Sequence, residues 1–221
     1  MNSGKTSFRC AIFDLDGTLV DTVQDLASVL NRVIQERGFD PAPMECFIKM
    51  QGKTIEAQVS AMLPPEERND KFVEELAAEA RKFYEEEPPN LGKPYRGIQE
   101  LLSALGRKKI KRAVLTNKPD RIANREIGLF FPAGSFDMVS GIRPGFPHKP
   151  DPASVWELLV ELDASPRNTI LIGDSEIDMQ TAAAAGCFAV GVSWGYRDAA
   201  ALKNAGAMCI INKPLELLEF L

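Results

Sequence analysis

The strongest constraint on this chain is a change of hydrophobic rhythm near residue 95. From there on, short apolar runs alternate with segments of helical spacing. Ile98, Leu101, Leu102 and Leu105, closed by Gly106, predict a helix, and residues 112–116 a strand. Helices are then expected near 121–129, 152–162, 175–185 and 199–204, interleaved with strands at 136–140, 169–172, 188–192 and 208–211. An earlier apolar run, Cys10-Ala11-Ile12-Phe13 after Arg9, ends abruptly in Asp14, as a strand buried on both faces does. Strands alternating with helices predict an α/β fold, a doubly wound parallel sheet with helices on both faces.

Between the first strand and the resumption of the sheet the period is helical throughout. Val23, Leu26, Ala27, Leu30, Val33 and Ile34 form one stripe, with Gly38 as its stop, and Phe72, Val73, Leu76, Ala80 and Phe83 form another. Prolines at 41, 43, 64, 65, 88 and 89 and Gly52 punctuate the stretch. Residues 20–90 are therefore read as three or four helices without a strand, a helical subdomain inserted into an α/β core made of residues 1–19 and 91–221. A chain of 221 residues has room for one domain and such a subdomain.

Composition narrows the chemistry. A single histidine excludes a multi-histidine zinc site, and a Ser-His-Asp triad would have to use His148. The cysteines at 10, 46, 187 and 209 form no C-x-x-C pair and read as reduced, buried thiols. A net charge of −5 argues against nucleic acid and anionic membrane surfaces as partners. The polar first residues do not resemble a signal peptide, and the apolar run at 182–192, broken by Gly186 and Gly191, is too short to span a bilayer. A cytoplasmic setting is expected. With 31 Asp and Glu, acid/base work and binding of a hard cation such as Mg²⁺ fall to carboxylates.

Four polar clusters stand where strands are expected to end, and in doubly wound sheets ligands bind at the carboxyl ends of strands. The first is Asp14-Leu15-Asp16-Gly17-Thr18, two carboxylates just after a buried strand, costly to place there without a cation or hydrogen bonds. Thr116-Asn117-Lys118 offers a hydroxyl and backbone N–H groups for phosphate oxygens, although Thr and Asn also begin ordinary loops. His148-Lys149-Pro150-Asp151-Pro152 holds a lysine in a stiff segment, where the plain alternative is a surface turn. Gly173-Asp174-Ser175-Glu176-Ile177-Asp178 puts two acids four residues apart on one side of a helix start. Four acids converging on one crevice repel unless a divalent cation neutralises them. A carboxylate nucleophile, a second carboxylate able to carry a proton, Mg²⁺, a lysine and a hydroxyl together suit phosphoryl transfer.

In this order the motifs resemble the four motifs of the haloacid dehalogenase superfamily of phosphohydrolases. The resemblance implies that Asp14 is the nucleophile and Asp16 the general acid/base, with Thr116, Lys149 and the Asn117 backbone holding the transferring phosphoryl group. It implies Mg²⁺ bound by Asp174, Asp14 and the Asp16 carbonyl, with Asp178 acting through water or Lys149. It further implies that residues 20–90 are a helical cap that closes over the site. Phe13-Asp14-Leu15-Asp16-Gly17-Thr18-Leu19-Val20-Asp21-Thr22, Gly186 and Gly191-Val192-Ser193-Trp194-Gly195-Tyr196 resemble the phosphoglycolate phosphatase group within it. The expected substrate is then a small phosphorylated metabolite, and the protein a monomer or homodimer. Lys49 and Lys53, which flank the segment where relatives carry a Gly-rich substrate-facing loop, are candidate contacts for a substrate carboxylate or phosphate, or else solvated lysines at a helix end. A phosphomutase or pyrophosphatase shares these motifs. A non-catalytic phospho-accepting domain lacks the insertion and the D-x-D placement. Gly52-Lys53-Thr54 and Gly4-Lys5-Thr6 imitate the end of an ATP-binding loop without its first glycine, and Glu85-Glu86-Glu87 reads as a solvated helix end.

Overall fold

The computed structural model describes residues 8–86 and 91–221; Gly4-Lys5-Thr6, Glu87 and Pro88-Pro89 lie outside them. In chain order the strands are β1 (Cys10–Phe13), β2 (Val20–Asp21), β3 (Lys93–Pro94), β4 (Lys111–Pro119), β5 (Met138–Ile142), β6 (Thr169–Gly173), β7 (Phe188–Val192) and β8 (Cys209–Ile211). The helices are α1 (Val23–Gln35), α2 (Met44–Met50), α3 (Ile55–Met62), α4 (Asp70–Glu86), α5 (Ile98–Arg107), α6 (Asp120–Phe130), α7 (Ala153–Glu161), α8 (Glu176–Ala185) and α9 (Ala199–Asn204). They divide between two compact units, Met1–Asp21 with Pro94–Leu221, and Thr22–Lys93.

The first unit is an α/β fold around a six-stranded parallel sheet in the order β5-β4-β1-β6-β7-β8. Successive side chains of β1 point to opposite faces, and both faces are covered. Ala11 and Phe13 pack in one layer with Ile98, Leu101 and Leu105 of α5. Cys10 and Ile12 pack in the other with Val155 and Leu158 of α7 and Met179 and Ala182 of α8. This double covering is why the strand reads as an unbroken apolar run. After β1 the chain builds β4 and β5 to one side and then β6, β7 and β8 to the other. Such a reversal leaves a crevice at the carboxyl end of the central strand. Register brings the neighbouring ends level there: Phe13 pairs with Val114 of β4 and with Ile172 of β6.

The second unit is helical. α1 buries the predicted stripe from Val23 to Ile34, and α4 buries Val73, Leu76, Ala77 and Ala80. Gly38 takes the left-handed conformation (φ +82°) after α1, where a side chain would be strained. The expectation of no strand over residues 20–90 is corrected at β2: the carbonyl of Leu19, just before it, accepts from the N–H of Tyr95 at 3.0 Å, drawing the backbone out. The strand expected at 136–140 lies instead at Met138–Ile142. Asp137 spends its carboxylate on the Arg112 N–H (2.8 Å), and Phe136 turns into the core against Phe13 and Phe131. All four cysteines are free; Cys10 and Cys187 are buried and Cys46 and Cys209 half-buried. Among the described residues no helix is long and apolar enough to cross a membrane.

Candidate active site

The loop after β1 is wound around one carbonyl. Leu15 O accepts from the N–H groups of Leu19 (2.9 Å) and Val20 (3.0 Å), and the Gly17 N–H donates to Val20 O at 2.9 Å. Gly17 sits at φ +83°, and a Cβ there would strike Asp174 and Tyr196, so the turn requires glycine twice over. Asp14, whose N–H continues the ladder to Ile172 O (2.9 Å), is delivered to the crevice floor and is buried.

Lys149 reaches the same point from the loop before α7. Its ammonium donates to Asp14 Oδ1 at 2.8 Å and to Asp178 Oδ1 at 2.6 Å, with the lysine side chain only 6% exposed. The backbone of Lys149 is gripped by the Asn117 side chain: Asn117 Oδ1 accepts from the Lys149 N–H (2.8 Å) and Asn117 Nδ2 donates to the Lys149 carbonyl (3.1 Å). The resemblance assigns the Asn117 backbone to the phosphoryl group; the Asn117 side chain fixes the Lys149 backbone. Thr116, buried at the end of the sheet, accepts from the Lys118 N–H through Oγ1 at 3.2 Å.

Asp178 is fixed by helix capping. Its Oδ2 accepts from the Ser175 hydroxyl (2.6 Å) and N–H (3.1 Å), while Ser175 Oγ caps the Asp178 N–H. Asp174 accepts from the Tyr196 N–H (2.7 Å) and the Thr18 hydroxyl (3.3 Å). Gly173 and Gly195 leave room for these acids: a Cβ on the first would overlap the Asp178 side chain, and on the second that of Asp174.

Asp14, Asp174 and Asp178 each present an oxygen within 4.8 Å of the others, all three buried. Burial pushes the Asp14 carboxyl well above the ordinary carboxylate range, Asp178 adding repulsion, and Lys149 only partly offsets it. Burial and then Asp178 push Asp174 up to about 7. Burial pulls the Lys149 ammonium down, but Asp14 and Asp178 more than reverse it, so it stays charged. Three carboxylates against one ammonium leave two negative charges in excess when all are ionised. Hard oxygen donors with that excess fit a divalent cation such as Mg²⁺.

Asp16 does not join the other three. Its carboxylate turns aside to the Lys118 ammonium (2.8 Å), which also contacts both oxygens of Glu126 on α6 at 2.7 Å. Glu126 carries no local motif, and only its complete burial sets it apart. Trp194 and Tyr196 border the site: Trp194 Nε1 donates to Thr18 O at 3.0 Å, and the Tyr196 hydroxyl to Asp21 at 3.1 Å. Lys49 and Lys53 belong to the helical unit, at the end of α2 and three residues beyond it, and both are exposed. His148 is exposed as well.

The chain is similar to known proteins. The profile of the haloacid dehalogenase-like hydrolases matches residues 11–192. A phosphoglycolate phosphatase of Aquifex aeolicus is 32% identical over 188 residues, covering 85% of this chain and 86% of its own. One from Haemophilus influenzae is 28% identical over 222 residues, covering 98% and 99%. The solved structure of a haloacid dehalogenase-like family hydrolase from Streptococcus pneumoniae superposes with a TM-score of 0.86 at 26% identity, over 97% of this chain and 99% of that one.

Proposed function

The chain belongs to the haloacid dehalogenase-like hydrolase family, and we propose that it is a Mg²⁺-dependent phosphatase acting on a small phosphate monoester of the 2-phosphoglycolate kind. The observation that carries this reading is the Lys149 ammonium on the Asp14 carboxylate, inside a buried group of three acids at the carboxyl edge of the sheet. The names of the Aquifex and Haemophilus relatives support the substrate class.

In the proposed reaction an Asp14 oxygen attacks phosphorus, and the bond to the ester oxygen breaks. Asp16 gives its proton to the departing alkoxide, and the product is an aspartyl-phosphate with a free alcohol. Asp16, now ionised, takes a proton from water as that water attacks the phosphorus, releasing phosphate and restoring Asp14. Lys149 and the Thr116 hydroxyl hold the phosphoryl oxygens, and Asn117 keeps the Lys149 backbone in position. Mg²⁺ would be held by Asp14, Asp174 and the Asp16 carbonyl, with Asp178 beside them. Bound there, it would keep the carboxylates ionised and draw charge from the phosphoryl oxygens.

Residues 20–90 serve in this proposal as a cap, with Lys49 and Lys53 recognising the anionic end of the substrate. Alanine at either lysine is expected to raise KM with kcat unchanged. The four free thiols support a reducing, cytoplasmic setting. The test is phosphate release from 2-phosphoglycolate, sugar phosphates, nucleotides and pyrophosphate, with and without Mg²⁺. Greatest release from 2-phosphoglycolate is expected, and Asp14→Asn should lose at least about 10³-fold in kcat while keeping its circular dichroism spectrum. Retained turnover in that variant removes Asp14 as nucleophile, and a strict need for a bisphosphate activator makes the protein a mutase.

A further inference from the structure

The Lys118–Glu126 pair stands apart from the three-acid cluster, on α6 and the last residues of β4. The Lys118 ammonium lies 2.7 Å from each Glu126 oxygen and 2.8 Å from Asp16 Oδ1. The Glu126 side chain is 0% exposed and that of Lys118 9%. Charges so placed are expensive to desolvate and persist where geometry is tightly met. All three short contacts are to carboxylate oxygens, so two acids compete with any phosphate oxygen for the Lys118 ammonium. Glu126 also neutralises the charge that would make Lys118 a phosphate ligand. The second site lysine repeats the design: Lys149 is divided between Asp14 and Asp178, and Asp178 is itself pinned by Ser175. Each of the two reactive carboxylates thus hangs from its own lysine, and each lysine is tied to a second, fully buried acid.

We infer that Lys118 and Glu126 are positioning residues that hold the Asp16 carboxylate in the orientation needed to protonate the leaving oxygen. This rests on the phosphatase reading above, in which Asp16 is the general acid/base. A carboxylate on a short side chain at a loop has rotamers that aim it away from the scissile bond, and an acid that is present but misdirected forfeits most of its contribution. Lys118, anchored by Glu126, selects one rotamer. Lys118 touches neither substrate nor phosphorus in this scheme.

The experiment compares wild type, Lys118→Met and the isosteric Glu126→Gln, all full-length with Mg²⁺, by rapid quench over the first turnover. Two esters are used: the alkyl phosphate that wild type turns over fastest, whose leaving alkoxide needs a proton, and 4-nitrophenyl phosphate, whose phenolate leaves without one. For Lys118→Met, first-turnover cleavage of the alkyl ester is expected to fall on the order of 100-fold with KM within about twofold, while the nitrophenolate burst stays within about threefold of wild type. Glu126→Gln is expected to show the same selectivity with a loss of about tenfold. Equal losses on both esters, a change confined to KM, or no change overturns the inference. So does a fall in KM for Glu126→Gln, the result of a freed ammonium binding phosphate. If Lys118→Met does not fold, Glu126→Gln decides by the same criteria. Wild type inactive on both esters removes the phosphatase reading, and this inference with it; active wild type with unselective variants removes this inference alone.

Discussion

Asp174→Asn separates what the acidic cluster does for metal binding from what it does to the fold. Asp174 is 2% exposed, and its carboxyl is pushed from an ordinary 3.8 up to about 7, first by burial and then by Asp178. That displacement corresponds to about 4 kcal/mol against the ionised form. Because the folded-state value is raised, the stability associated with the protonated acid is fully present below about pH 4 and is lost as pH rises through about 7. Asparagine keeps the shape without the charge. Its Oδ1 can accept from the Tyr196 N–H, and its amide can donate to Thr18, whose hydroxyl accepts as readily as it donates. Asp14 and Asp178 remain in both proteins, so the difference reads residue 174 together with its repulsion of these neighbours. In EDTA the stability of Asp174→Asn relative to wild type should therefore rise by about 2–3 kcal/mol between pH 5 and pH 8. Urea denaturation followed by Trp156 and Trp194 fluorescence reads this directly. Mg²⁺ at about a hundred times its dissociation constant should add about 2.7 kcal/mol to wild type at pH 8 and much less to the variant. A gap that stays constant or narrows with pH, or an equal response to Mg²⁺, refutes the electrostatic account of this cluster.

Lys149→Met strips the ammonium from two buried carboxylates. It is expected to cost about 3–5 kcal/mol in EDTA at pH 8, less at pH 5 where the acids can protonate, and at least about 10³-fold in kcat, measured by urea denaturation and phosphate release. Gly195→Ala drives a Cβ into the Asp174 side chain. A stability loss of about 1–3 kcal/mol is expected, with weaker Mg²⁺ affinity by calorimetry.

Much of the site was legible because its residues are contiguous and follow apolar runs. Asp14 and Asp16 follow β1, Asp174 and Asp178 straddle the start of α8, and the local spacing alone predicts where they emerge. Helix periodicity likewise predicted α1, because its buried stripe is written at regular intervals. The displaced β5 was not legible: Phe136 and Asp137 have strand-like neighbours, but one serves the core and the other an Arg112 N–H, and only the assembled sheet assigns those tasks.

By itself, the sequence determined the α/β alternation, the helical insertion and the acids at the strand ends, since these follow from side-chain period and backbone chemistry within a few residues. Tertiary structure decided which of those acids meet. The register of β1 against β4 and β6 gathers Asp14 with Asp174 and Asp178, while Asp16, two residues from Asp14, is drawn off by Lys118. It also recruited Glu126, indistinguishable along the chain from any polar residue of an amphipathic helix, and the N–H of Tyr196, a donor every non-proline residue carries. Electrostatic energy depends on distance and burial across the whole fold, and neither is encoded in the identity of one residue or its neighbours.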